Sequence, residues 1–317
     1  MTSRGDTRGD RVAVSAGEFR ALFEEVCTWG RWADRGERGA LNYLTPDRVA
    51  DAARLVTSGV TVTLSRPLAT GRRIDNPHPA DHYMTMLPDS DTGPGAERFA
   101  KDYVGLDYHN EGHSHVDALC HVAYRGLLYG GKPERSVTTR GAELDAIDVI
   151  HDGLVGRGVL LDVPRSRGVP WLEPGEHVFV EDLEAAERAE GVTAGVGDIL
   201  LVRTGHTRRQ AEVEPWDTAN AKAGLHPTTA TFLAERRVAA LGSDGNNDTV
   251  PSTTEGVDFP IHVLALNAMG VHLFDYLQLE DLARQCEATG RWEFMLAAAP
   301  LRIAGGTGSP LNPVAIF

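Results

Sequence analysis

Between His109 and His121 the chain gathers four of its twelve histidines and two carboxylates: His109, Glu111, His113, His115, Asp117 and His121. All six stand at odd positions. On an extended strand, residues two apart share a face, so the pattern predicts a strand on which His113, His115 and Asp117 line up, with His109 and Glu111 behind them and His121 beyond. Imidazole nitrogen and carboxylate oxygen together suit Zn²⁺, Mn²⁺ or Fe²⁺, and a strand offers them to an open site rather than to a closed cage. The flanking residues Val116, Ala118, Leu119 and Val122 are small or apolar. Burying this many titratable groups beside them without a metal or mutual pairing is costly, which favours a metal site over an adventitious, exposed histidine tract. His78, His82, His151 and His177, each isolated, are expected to be ordinary polar residues.

Composition narrows the partners. The 317 residues carry 31 basic and 45 acidic side chains, a formal net charge of −14. That sign argues against nucleic acid or an anionic membrane as the main partner, since phosphates must be met by Lys and Arg. No apolar run approaches the roughly 18 residues that a membrane helix requires. The first sixteen residues are polar, include two Arg-Gly-Asp triplets and lack a signal-peptide core; they are expected to be a mobile tail of a cytoplasmic protein, with residues 17–317 forming one domain. Cys27, Cys120 and Cys286 are odd in number and far apart, which excludes a disulfide framework and a Cys-x-x-Cys metal knot. GxSxG, P-loop and GxGxxG motifs are absent, which argues against serine hydrolases and nucleotide enzymes.

Hydrophobic spacing gives the fold class. A helix is expected from Glu18 to Cys27, and another opens at Thr45-Pro46 and runs to about Thr57. Val60 to Leu64 alternates as a strand. The runs 158–163 and 198–203 are almost continuously apolar, as strands buried on both faces are. Helices near 180–190 and 228–237 alternate with them and with a strand at 238–241, which defines an α/β chain. Residues 71–100, rich in Pro, Gly and Asp, are expected to be irregular, either a lid or a surface excursion. Asp244-Gly245-Asn246-Asn247-Asp248 lacks the glutamate of an EF-hand loop and is expected to be a turn after the last of these strands.

His115-Val116-Asp117-Ala118-Leu119-Cys120-His121 resembles the core of the cyclase family of metal-dependent hydrolases, whose members include kynurenine formamidases and isatin hydrolases and whose signature is His-x-Gly-Thr-His-x-Asp-x-Pro-x-His. Trp29-Gly30, Gly39-Ala40-Leu41-Asn42, the segment 124–131, the segment 197–205, Gly270-Val271-His272-Leu273-Phe274-Asp275 and the segment 307–313 are similar to the longer members. The resemblance implies a swivelling β/β/α fold, a homodimer or homotetramer, and a divalent metal. It places His115 and Asp117 on metal ligands and His121 on the last histidine of the signature, a second ligand or a proton-transfer group. Four residues before His115 stands Glu111 where the family has its first histidine, so Glu111, His109 or His113 completes the ligand set. Pro260-Ile261-His262 resembles the element that brings a further histidine to the metal. The glutamate that shorter members carry beyond it is replaced by Phe274-Asp275, and one metal ion, Zn²⁺ or Mn²⁺, is expected.

The function that follows is hydrolysis of an amide, formamide or lactone bond in a small cyclic or aromatic molecule by a metal-bound water. His121 is the candidate for moving the proton, and His262 is either a ligand or a stabiliser of the oxyanion. Arg203 is a candidate for holding a substrate carboxylate, set against a structural ion pair. Trp29, with Trp32, Tyr83 and Phe99, is a candidate for an aromatic substrate pocket, set against plain core packing. The alternatives are a Lewis-acid cyclase or dehydratase and a non-catalytic metal or small-molecule binding protein.

Overall fold

A strand without a polar face must be covered on both sides, and the two long apolar runs therefore occupy the middle of the molecule. In the computed structural model, which describes residues 12–88 and 97–317, they lie at the centre of a nine-stranded mixed sheet. In chain order its strands are β1 (Thr61–Thr63), β2 (His115–Asp117), β3 (Leu154–Asp162), β4 (Ile199–Arg203), β5 (Ala240–Ser243), β6 (His272–Asp275), β7 (Glu293–Ala298), β8 (Gly308–Pro310) and β9 (Val314–Ile316). Across the sheet the order is β1-β9-β7-β3-β4-β5-β6-β2-β8. Strands β3 to β6 are parallel. Antiparallel strands extend them on one side with β7, β9 and β1 and on the other with β2 and β8. Val159 to Leu161, Ile199 to Val202 and Ala240 to Leu241 are inaccessible to solvent, the centre of a core that runs the length of the sheet.

The longer α-helices are α1 (Ala16–Val26), α2 (Pro46–Ala53), α3 (Val180–Glu190), α4 (His206–Glu212), α5 (Thr229–Arg236) and α6 (Glu280–Thr289). Helix α1 opens on a reciprocal box in which Ser15 Oγ accepts from Glu18 N while Ser15 N donates to the Glu18 carboxylate. Helix α2 opens on Thr45 with Pro46 in its first turn and ends at Ala53, earlier than the spacing suggests. No described helix is long and apolar enough to cross a membrane.

Two expectations are revised. Of the tail expected over residues 1–16, the segment 1–11, with both Arg-Gly-Asp triplets, lies outside the described residues. Residues 12–16 are anchored: Val14 is buried, donates to Thr253 O at 3.0 Å and accepts from Glu255 N at 2.9 Å. Within 71–100, expected to be irregular, residues Asp81–Met86 pair with Lys101–Gly105 as an antiparallel hairpin, with Tyr83 stacked on Tyr103 at 5.1 Å; residues 89–96 lie outside the description. Tyr83, Met84, Phe99, Tyr103 and Val104 are all exposed on this arm.

The glycine-bearing segments around 39, 129 and 270 meet at one point. Ala40 N donates to Gly270 O at 2.7 Å. Gly39 has φ +50°, and a Cβ there would lie 2.2 Å from the carbonyl oxygen of Gly270. Gly270, at φ +66°, leaves room for the Tyr129 ring, 2.6 Å from where its own Cβ would stand. Neither contact has a flexible side chain that could yield. Gly39→Ala combines an unfavourable φ with a backbone clash and is expected to lower stability by about 3 kcal/mol; a urea unfolding curve unchanged from the parent would refute this account.

Candidate metal centre and cleft

Strand β2 contributes the first two groups. His115 and Asp117 are two apart and share a face, while Val116 turns into the core. The register extends the site across the sheet: Asp275 of β6 lies opposite His115, and Gly308 of β8 lies opposite Asp117. Directly opposed residues share a face, so Asp275 joins the group. Gly308 leaves a gap, and a Cβ there would stand 2.8 Å from His109 Cε1. The His109 ring occupies that space, with Nε2 3.0 Å from Thr307 Oγ1 and Nδ1 3.0 Å from Asp117 Oδ1.

His109 arrives through a turn rather than along a strand. Gly112 N donates to Asn110 Oδ1 at 2.8 Å, and a Cβ at Gly112 would stand 2.2 Å from Asn76 Oδ1, so the chain bends at residues 110–112 against a distant loop. Consequently the extended alternation expected from 109 to 121 is confined to His115–Asp117. His115 Nδ1 donates to His113 O at 2.9 Å, which leaves its Nε2 facing Asp117 Oδ1 at 3.6 Å and Asp275 Oδ2 at 4.0 Å.

Among the described residues, two overlapping groups of side chains could hold a cation: His109, His115 and Asp117, and Asp117, His121 and His262, the atoms of each lying within 4.8 Å of one another. Asp117 is fully buried, and neither carboxylate oxygen accepts a hydrogen bond of good geometry. An unpartnered buried carboxylate facing imidazole nitrogens fits a divalent cation that supplies the missing positive charge. Burial opposes the ionisation of Asp117, yet His121, His109 and His262 hold its carboxyl well below the usual range.

His262 faces this centre from a helix formed by Pro260–His262 and the π-turn Val263–Met269. Asp248 fixes it: one oxygen accepts from Ile261 N at 2.6 Å, the other from His262 N at 3.2 Å and from His262 Nδ1 at 2.6 Å. The His262 Nε2 then points at Asp275 Oδ2 (3.4 Å) and Asp117 Oδ2 (3.5 Å). Burial disfavours the charged ring, but Asp275, Asp117 and Asp248 outweigh it and hold His262 well above the usual range. His121 stacks on His109 at 3.9 Å, and burial, opposed by Asp117, pushes it down to about 4.

The segment 244–248 is a bracket. Asp244 accepts from Thr204 N and Oγ1 through one oxygen and from Gly205 N and His206 N through the other, at 2.7 to 2.9 Å, and so caps α4. Asn247 Nδ2 donates to Asp275 Oδ1 at 2.7 Å. With Asp248 committed to His262, neither carboxylate of this segment is free for a cation.

The centre opens into a cleft of about 470 Å³. His109, His115, His121, His262 and Asp275 line one part of it, Glu111, Lys222 and Tyr276 another, and Tyr124, Val257 and Phe259 an apolar part. Several sequence expectations change here. Glu111 lines the cleft but belongs to neither cation group. His113 is buried and also belongs to neither. Arg203 is saturated by Asp162 (2.8 Å) and Glu280 (2.9 Å), so it is a structural ion pair and not a substrate contact. Trp29 does not line the cleft: its Nε1 donates to Asn267 O at 2.6 Å and braces the helix that carries His262. Trp32, Tyr83 and Phe99 are likewise absent from the lining. Lys222 and Tyr276 were not expected because each stands outside the patterns read in the sequence, and Asp248, within the run read only as a turn, was not expected to hold His262. The available signal was positional, since ligand sites of parallel sheets lie beyond the carboxyl ends of the strands, where residues 244–248 and 275–276 stand.

Comparison with known proteins agrees with this architecture. A family model described as "Putative cyclase" matches residues 51–247. A crystal structure of a novel cyclase is 33% identical, with a TM-score of 0.85 over 93% of this chain and 99% of that one. The chain belongs to the cyclase family. Isatin hydrolase A from Ralstonia solanacearum is similar in fold at 22% identity and a TM-score of 0.59, over 86% of this chain and 97% of its own. A protein described as a predicted metal-dependent hydrolase from Bacillus stearothermophilus is similar at 16% identity and a TM-score of 0.53, over 82% and 98%. No curated protein matches the sequence.

The assignment of Arg203 is directly testable. Arg203→Met leaves Asp162 and Glu280 buried without their cation, and stability is expected to fall by about 3–5 kcal/mol. Denaturant unfolding checks this, and a variant as stable as the parent would return Arg203 to the list of substrate contacts.

Proposed function

We propose that the protein is a metal-dependent hydrolase that opens or cleaves an amide, formamide or lactone bond in a small cyclic or aromatic molecule. The observation that carries this reading is Asp117, buried without a hydrogen-bond donor and faced by His109 and His115 at the end of an open cleft. The fold neighbours named as isatin hydrolase and metal-dependent hydrolase support the same class.

His109, His115 and Asp117 would hold the ion, Zn²⁺ or Mn²⁺ by the chemistry of the donors. When bound, it supplies Lewis acidity toward a carbonyl oxygen and toward water. The remaining work falls to the chain. His121 lines the cleft and is kept neutral by burial, so it can accept the proton of an attacking water. His262, charged and oriented by Asp248, can donate a hydrogen bond to the developing oxyanion or a proton to the leaving group. Tyr124, Val257 and Phe259 receive the apolar body of the substrate and keep bulk water from it.

The protein purified without chelator is expected to carry one Zn²⁺ or Mn²⁺ per chain by elemental analysis. His115→Ala and Asp117→Ala should each weaken metal binding by more than about 100-fold and abolish hydrolysis of formanilide, isatin or a simple lactone, followed as proton release. His121→Ala should retain the metal and lose roughly 10²–10⁴-fold in kcat. Full turnover by the Asp117 variant, or protein without metal that turns over, would refute the assignment. His109→Ala is expected to lower metal affinity while the sheet stays folded; unchanged affinity would remove His109 from the ligand set.

A further inference from the structure

Lys222 is 1% exposed and Tyr276 3%, yet both line the cleft. The Lys222 ammonium donates to Tyr276 Oη at 2.6 Å, and among the described residues no carboxylate forms an ion pair with it. Burial pushes the Lys222 ammonium down from its ordinary value, against the through-space pull of Glu111, Asp275, Asp248 and Asp217. A buried ammonium with a neutral hydroxyl as its side-chain partner is costly unless a counter-charge arrives. Because Tyr276 Oη accepts from Lys222, its own hydrogen is left to donate elsewhere.

Tyr276 is also held in a conformation that a bulky side chain rarely adopts, φ +54°. Its backbone is pinned from both sides: Tyr276 N donates to Gly245 O at 2.7 Å, and Ser114 Oγ donates to Tyr276 O at 2.6 Å. The Arg66 guanidinium lies 5.4 Å from the ring centre, and the Lys222 ammonium lies 5.2 Å from it, off the hydroxyl end. Backbone strain of this kind persists only where the surroundings over-determine it, and it concentrates at ligand-holding sites.

We propose that Lys222 and Tyr276 form an anion-recognition pair, and that the substrates of this cleft carry a carboxylate, which the ammonium and the phenolic hydroxyl bind together. The apolar residues Tyr124, Val257 and Phe259 complete the match, so the substrate class is a small acid with a ring or other apolar body. This deepens the hydrolase reading and rests on it for the identity of the scissile bond.

The experiment has a kinetic arm and a binding arm, both on metal-loaded protein. The kinetic arm compares N-formylanthranilate with formanilide, which share the ring and the scissile bond and differ in the carboxylate. The parent is expected to favour the acid in kcat/KM, and Lys222→Met to reduce that preference by about 10–100-fold, the effect of losing a charged hydrogen bond. Tyr276→Phe, which removes one hydroxyl and keeps the lysine, should reduce it by about tenfold and serves if the Lys222 variant does not fold. The binding arm measures benzoate against benzamide by calorimetry, with the same shifts expected. A parent with no preference for the acid in either arm, or variants that keep it, would overturn the pair. If neither formyl compound is cleaved while benzoate is preferred and Lys222→Met abolishes that preference, the hydrolase reading fails and the recognition pair stands.

Discussion

A carboxylate taken out of water with neither oxygen hydrogen-bonded is among the least favourable groups a folded chain can contain, unless a positive charge meets it. Asp117 is such a group, at the end of three residues' worth of strand, and the surroundings are arranged for it. His115 shares its face, His109 fits the space that Gly308 leaves, and His262 and Asp275 close the far side. Moving His115 or Asp275 by one register step would send its side chain to the opposite face of the sheet, away from the carboxylate. The sheet is therefore a positioning device as well as a core: the antiparallel pairing of β2 with β6 and β8 fixes which groups oppose one another.

Around that centre the protein spends its remaining carboxylates on fixing positions. Asp248 takes up two backbone amides and the ring of His262, so the histidine cannot rotate without undoing a helix start. Asp244 does the same for α4, and Asn247 between them orients Asp275. One five-residue turn thus sets a helix, a histidine and a carboxylate. Trp29 supports the same helix from behind through the Asn267 carbonyl. Rigid support of this kind is what a reaction centre needs if its groups are to be in place before a substrate arrives.

Much of this was legible in the sequence where the signal was local. Continuous apolar runs gave the central strands, Ser15 and Thr45 gave helix starts, and the two-residue spacing of His115 and Asp117 gave their shared face. The resemblance to the cyclase family rests on His115–His121 and on further segments spread along the chain. The approach of His109 was not legible, because the bend at 110–112 is imposed by Asn76, far away in sequence. Arg203 illustrates the opposite error: a charged residue ending a buried strand can serve a substrate or a neighbour, and only the positions of Asp162 and Glu280 decide between them. Lys222 and Tyr276 meet because β6 ends beside the segment that follows α4, a proximity that no short pattern encodes.

Strand β8 brings Thr307 and Gly308 alongside β2, whose residues lie almost two hundred positions earlier. During synthesis, the histidine-rich segment therefore emerges long before the strand that gives His109 its seat. Until residue 310 is available, His109 has no seat beside Asp117, so the arrangement described above is completed only when β8 pairs with β2.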